Sequence, residues 1–322
     1  MSLNMFLVVV AYIAIVPLIR QLLKRVRKRT ILAPDISALR EEIGAELPRV
    51  ATELEALIGN SIRIKTAPIR DEALLPHGTS KFGGLPDLPE GVDWPEWNGE
   101  PLAFIAQVRL EEVAPFDVER ILPATGMLYF FYDARQETWG DTSEDRGGAR
   151  VLYYDGDVAR IKRTPFPETL HEWGRDYPAC RLEVYSQQSL PTSDSIHVIS
   201  LELTEEETAS YNKLWEWLVD TDDELPDHRL SGYPRPVQGD DMEELCAWAT
   251  AGIDVASAES YQSERAVELR KTAKDWQLLL QVDSDNNPMM MWGDAGTIYY
   301  WIKREDLAQR NFEEAWLVLQ CY

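Results

Sequence analysis

The chain has 322 residues, 45% of them apolar, with 11 Trp and a net charge of −23. That length allows one large domain or two small ones, with ample material for a core. A mean hydropathy of −0.31 argues against a polytopic membrane protein, and so acidic a surface repels DNA, RNA and anionic lipid.

The charge is unevenly placed. Residues 20–29 hold Arg20, Lys24, Arg25, Arg27, Lys28 and Arg29 with no acid, so the rest of the chain carries −29. An acidic body of this kind attracts a basic protein partner, although plain solubility explains the same charge. The three Cys, at 180, 246 and 321, show no metal spacing and no even disulfide framework. A reduced, cytosolic domain is expected.

In chain order, Leu3–Ile19 comes first, an apolar run of 17 residues. As a helix it would reach about 26 Å, close to the lower limit for spanning a bilayer. The positive charges follow the run instead of preceding it, and no A-x-A cleavage site is present, which argues against a signal peptide. The expectation is a single-pass inner-membrane anchor over residues 1–19, N-terminus out. A basic juxtamembrane linker over 20–35 and a cytoplasmic domain over 36–322 would follow it.

Ile36–Leu57 has apolar residues at helical spacing, with Pro48 as a break. Ser61–Ile69 alternates as a strand. Pro76–Trp97 is a Gly/Pro-rich loop. Its Lys81, Gly83 and Gly84 suggest an anion cradle, but no P-loop or G-x-G-x-x-G pattern is present, and a tight turn beneath a strand is the stronger reading. Pro101–Leu110 and Gly126–Asp133 read as strands and Thr138–Gly148 as an exposed loop. Val151–Tyr154 and Ala159–Arg163 read as a hairpin turned at Asp155-Gly156, and Arg181–Ser186 and Ile196–Leu203 as further strands. Thr204–Asp220 is a helix opened by a Thr204/Glu207 capping box. A second Gly/Pro loop covers Leu230–Gln238. Helices over Asp241–Thr250 and Ser257–Trp276 follow.

The stretch Trp276–Lys303 organises the rest. Two apolar runs, Leu278–Val282 and Thr297–Ile302, bound a polar loop, a hairpin-type signal. An earlier stretch echoes it. Phe104-Ile-Ala-Gln107-Val108 matches Leu278-Leu-Leu-Gln281-Val282, and Gly126–Phe131 matches Gly296–Trp301. A Gln in a buried strand must satisfy its amide, and the same solution occurs twice. The pattern predicts an internal strand–loop–strand pseudo-repeat. The chain closes with a helix over Arg304–Phe312 and a strand over Ala315–Tyr322.

Several motifs in this order resemble the YwqG-like proteins, a bacterial family of unknown function. They are Ser80–Pro89 (SKFGGLPDLP), Pro101–Val108, Gly126–Asp133, Gly232-Tyr-Pro with Gln238, Leu278–Asp285 and Trp292–Gly296. The resemblance covers roughly Ile36–Tyr322, and only the membrane anchor departs from it. It implies an α+β fold with a large, mostly antiparallel sheet and helices packed on it. With the anchor, the expected fold class is that α+β fold plus one N-terminal transmembrane helix. The resemblance implies no activity.

Chemistry is sought in the polar loops. Asp283, Asp285 and Asn287 fall at positions one, three and five of a calcium loop, and Asp294 at twelve. Against calcium, Pro288 stands where such loops need Gly, and the bidentate Glu is missing. Asp and Asn that cap turns through their own backbone are the simpler reading. Asp283, Asp285 and Asp294 are also the candidate catalytic acids, with Gln107 and Gln281 as orienting groups. No nucleophile motif accompanies them. The four His, at 77, 171, 197 and 228, are scattered, and only His77 lies beside a motif. Lys81, Gly83, Gly84, Gln107, Gln281 and Trp292 are the candidate binding residues. Trp94, Trp97 and Trp292 line a cleft or close the core at loop bases, the second being favoured. The expectation is a membrane-tethered, non-catalytic module that binds a basic protein partner and no nucleic acid. Neutralising a toxin is one version. The alternatives are a hydrolase-like or metal-dependent enzyme built on the aspartate loop, and a calcium or small-ligand binding domain.

Overall fold

The computed structural model describes residues 36–219, 226–253, 255, 260 and 262–322. Fourteen strands are defined among them. They are β1 (Gly59–Pro68), β2 (Lys81–Phe82), β3 (Asp87–Pro89), β4 (Glu96–Trp97), β5 (Glu100–Pro101), β6 (Ala103–Arg109), β7 (Met127–Tyr132), β8 (Ala149–Tyr154), β9 (Ile161–Arg163), β10 (Cys180–Ser189), β11 (His228–Leu230), β12 (Trp276–Asp283), β13 (Thr297–Lys303) and β14 (Trp316–Gln320). Ten form one antiparallel sheet in the order β14-β13-β12-β11-β1-β10-β2-β6-β7-β8.

The sheet curls into a near-barrel. Its two edge strands approach each other across the Thr138–Gly148 segment, where Leu319 N–H donates to Trp139 O at 3.0 Å and Trp316 Nε1 donates to Gly140 O at 2.9 Å. That segment, read from sequence as an exposed loop, is a seam. Strands β7 and β13 are buried over almost their whole length. Both faces are covered, which is why their sequences are continuous apolar runs without alternation. One face packs Ile62, Val108, Phe130, Tyr300 and Ile302 into the central core. The other packs Trp276, Trp301 and Trp316 against the helix Met242–Thr250.

The sheet consists of two equivalent halves. β2-β6-β7-β8 and β11-β12-β13-β14 have the same order and register. Lys81 and Tyr129 flank Gln107 on its neighbouring strands, as Arg229 and Tyr299 flank Gln281. Each half skips one residue at the same place, Ile105 between Phe104 and Ala106, and Leu279 between Leu278 and Leu280. The central strands are exchanged between halves. β1 pairs with β11, setting Arg63 opposite Arg229, while β10 pairs with β2, setting Arg181 opposite Lys81. The sequence pattern extends to β1 and β10 only in this exchanged sense, which no local signal carries.

Three expectations are corrected here. Among the described residues no helix is long and apolar enough to cross a membrane. The fold class is therefore an antiparallel near-barrel with helices, α+β, and not that fold plus a transmembrane helix. Glu205–Val219, the longest helix among the described residues at 15 residues, opens with three Glu. Leu3–Ile19 and the basic residues after it lie outside the described residues. The second correction concerns the hairpin at Asp155-Gly156. β8 joins the main sheet, but β9 pairs with β3 instead, because Arg163 is drawn to buried Asp87, its Nε donating to Oδ1 at 2.9 Å. The third is Ile196–Leu203. It opens as a short helix, Ile196–Ile199, capped by the Ser195 hydroxyl, a signal that outweighs a brief apolar run. The Thr204/Glu207 capping box forms both of its reciprocal bonds, at 3.2 and 2.9 Å.

Candidate functional site

The two buried Gln amides hold equivalent turns. Gln107 Oε1 accepts from Asp87 N–H at 2.8 Å, and its Nε2 donates to Thr79 O at 2.8 Å. Gln281 Oε1 accepts from Arg235 N–H at 2.9 Å, and its Nε2 donates to Asp227 O at 2.7 Å. In each half the amide ties the backbone two residues before its cross-strand neighbour, Lys81 or Arg229, to the residue six after it. Between those points runs a tight turn, Gly83-Gly84 in one half and Ser231-Gly232 in the other, all at positive φ. A Cβ on Gly83 would lie 2.6 Å from the carbonyls of Tyr177 and Pro178. The N–H groups of Gly83 and Gly84 are spent on Ile105 O and Tyr177 O, so they form a packed turn and not an open anion cradle. Replacing Gln107 or Gln281 with Leu is expected to cost about 2–4 kcal/mol each, since two buried backbone groups lose their partners. Urea unfolding reads this, and no measurable loss in either variant would show that the amides are not latches.

Each half adds a buried ionic cluster to its latch. In the first, Lys81 Nζ lies 2.7 Å from Glu72 Oε1 and 4.0 Å from Asp87 Oδ2. Burial lowers the Lys81 pKa, opposed by Glu72. Burial would raise the Asp87 carboxyl, but the Arg163 hydrogen bond and the Lys81 charge hold it below its ordinary range. In the second half, Asp227 is the centre of three guanidinium groups. Arg63 Nη1 reaches its Oδ1 at 2.6 Å, Arg229 donates to the same oxygen, and Arg235 Nη1 is 3.0 Å from Oδ2. Burial opposes its ionisation, yet Arg229, Arg63 and Arg235 together hold its pKa down at about 2.

The aspartates of the polar loop serve this second cluster. Asp283 Oδ2 accepts from Asp227 N–H at 2.8 Å, and its Oδ1 accepts from Ser284 N–H and Thr297 Oγ1. Asp285 is buried, with Oδ2 3.0 Å from His228 Nε2 and a short contact to Thr66 Oγ1. Asn287 donates its N–H to Asp285 Oδ1 and its amide to Thr66. Asp294 is exposed. Among the described residues no group of three or more His, Cys, Asp and Glu side chains is placed to hold a metal, so Asp283, Asp285 and Asp294 do not converge as a calcium shell would require. Lys81 sits in the opposite half from Gln281 and the loop, and one open cleft does not gather them. Trp292 is fully buried, its ring packed on Tyr132 and Tyr177. It closes the core at the loop base.

An open site lies elsewhere, beside the second turn. A cavity of about 210 Å³ is lined by Tyr233, Glu243, Trp276, Trp301, Glu119 and Arg304, among others. Gly59 allows it, its missing Cβ leaving room 3.3 Å from the Tyr233 ring. Glu243 Oε1 pairs with His197 Nε2 at 3.0 Å, while Oε2 has no partner. The Trp301 indole N–H is likewise unpaired. Their residues are 6% and 1% exposed, so bulk water does not satisfy them. Each unpaired buried group costs about 1–3 kcal/mol, and such groups in a native fold call for an explanation. In the first half Glu72 Oε1 fills the corresponding turn, accepting from both Lys81 Nζ and Leu85 N–H, where the second half has the smaller Ser189 hydroxyl accepting from Tyr233 N–H.

Sequence reading missed this cavity and the three-arginine cluster. His197, Glu243 and Trp301 are far apart in the chain, and no shared motif joins them. The Arg229-x-x-x-x-x-Arg235 spacing, the counterpart of Lys81 and Asp87, was the one available signal for the cluster.

A family model described as a domain of unknown function (DUF1963) matches residues 80–321. The match opens one residue before β2 of the first half and ends just past β14 of the second. No curated protein matches the chain.

Proposed function

We propose, from the premise that the chain belongs to the family described as a domain of unknown function (DUF1963), that the protein is a non-catalytic binding module whose partner is a basic protein. Within that family we read it as a YwqG-like member, on the motifs from Ser80 to Gly296. One observation carries the binding reading. The two carboxylates nominated for chemistry, partly buried Asp283 and buried Asp285, are engaged by donors of the fold itself, whereas the excess acid of the chain is left to act as a field. A net −29 outside residues 20–29 steers a basic protein toward the domain and sets its approach. An acidic body that occupies a basic nucleic-acid-binding groove would neutralise a toxin in this way.

The test is a pull-down with the full-length chain at low and at high salt. A basic partner is retained at low salt and released as screening shortens the reach of the field to a few ångströms. Turnover of a small metabolite without any salt-sensitive partner would replace this reading with an enzymatic one.

A further inference from the structure

We propose that the groove between the helices Ile36–Glu46 and Glu205–Val219 is where the basic partner docks, receiving an arginine-bearing segment of that protein. The inference rests on the protein-binding reading and gives its partner a place on the molecule. Helical spacing builds the groove. Ser210, Lys213, Leu214 and Trp217 share one face of the longer helix, stepping by three and four residues. Glu42 and Glu46, about one turn apart, line it from the shorter helix. The space they bound is about 490 Å³, and Glu42, Glu46, Lys213 and Trp217 all reach solvent.

Trp217 is 41% exposed, although Trp is highly buried on average. It stands just outside the buried stripe of Tyr211, Leu214 and Leu218, so its ring is left uncovered at the edge while Leu214 forms the floor. Among the described residues Glu42 and Glu46 take part in no ion pair, whereas the arginines on either side, Arg40 and Arg49, pair with Glu55 and Glu207. The two helices carry seven acidic residues against two basic ones, so the field at the groove favours a cation. Arginine answers these groups together. Its guanidinium stacks on an aromatic face and bonds carboxylates at its edge, and its methylene stem covers apolar surface such as Leu214. Lys213, the one cation of the lining, is met by backbone carbonyls of the same segment. A purely apolar occupant would cover both carboxylates without pairing them, and an anion would be repelled by them.

The experiment is fluorescence anisotropy of a labelled peptide of alternating arginine and alanine, titrated with the full-length chain at low salt. Binding is expected, and the same peptide with citrulline in place of arginine should not bind. Trp217→Ala, and Glu42→Gln combined with Glu46→Gln, should each weaken binding about tenfold. All three side chains are exposed, so these changes leave the core intact. Glu96→Gln combined with Glu100→Gln removes the same charge from the β4–β5 pair and should alter binding less than about twofold. No binding of the arginine peptide overturns the proposal, as does an equal loss in the groove and β4–β5 variants. In either case, salt-sensitive capture of a basic protein by the natural chain would leave the protein-binding reading standing. Self-association that Trp217→Ala abolishes would make a second copy the occupant and also overturn the proposal. So would peptide binding that tightens about tenfold when Arg25, Arg27, Lys28 and Arg29 are changed to Gln, because the chain's own basic run would then be the occupant.

Discussion

Asp227→Asn is expected to destabilise the protein by about 3–5 kcal/mol, the cost of removing one partner from a buried ionic group. The residue is the counter-charge of Arg63 and Arg229, both nearly inaccessible, and of the half-buried Arg235. Asparagine keeps the shape and removes the charge, so three guanidinium groups are left facing one another across the β1–β11 register. Asp283 cannot take over, because its oxygens already accept from Asp227 N–H, Ser284 and Thr297. Arg235→Gln should cost less, since Arg235 is more exposed and two arginines would remain for one aspartate. Urea unfolding of the two variants gives the comparison. A loss below about 1 kcal/mol for Asp227→Asn, the range of a surface pair, would mean that water screens the cluster.

The same residue defines an acid limb. Its folded pKa of about 2 lies below the ordinary 3.8. The stability it contributes is therefore present above pH 4 and lost as pH falls through about 2.

The contrast between the two halves shows what a sequence can carry. Gln107 and Gln281 were legible because a buried amide in a strand has few ways to be satisfied, and the chain uses the same way twice. The apolar runs of β6, β7, β12 and β13 announced themselves for the same reason of burial. The exchange of β1 and β10 between halves was not legible. It depends on long-range pairing, and a strand such as Gly59–Pro68 would fit either neighbour. Nor was the role of Asp283 and Asp285. A loop crowded with acids looks like a metal or catalytic loop until Asp227, His228 and Thr66 arrive from other elements to occupy it. The cavity was hidden most deeply. It arises where the halves differ, with the Glu72 carboxylate filling the first turn and the smaller Ser189 hydroxyl taking that place in the second.

The closing prediction concerns Asp240, three residues from Glu243. It is buried where the Gln320 amide pins the preceding loop, Oε1 accepting from Val237 and Gln238 N–H and Nε2 donating to Gly239 O. Its Oδ2 accepts from the Thr192 N–H and hydroxyl. Burial raises its pKa to about 7, with the Glu243 and Asp194 charges adding to the rise and the Thr192 bonds opposing it. The sign follows directly. Between pH 4 and 7 the unfolded chain has released this proton and the folded chain has not, so stability falls as pH rises across that window. Displacement from 3.8 to about 7 corresponds to about 4 kcal/mol. Asp240→Asn resembles the protonated form and cannot ionise. Its stability relative to the natural chain should therefore grow by about 3 kcal/mol from pH 4 to pH 7, most of that displacement, while other titrating groups cancel in the difference. Urea unfolding of both chains across that range measures it. A difference that stays flat with pH would mean that Asp240 is ionised throughout, with its charge compensated by the hydrogen bonds from Thr192.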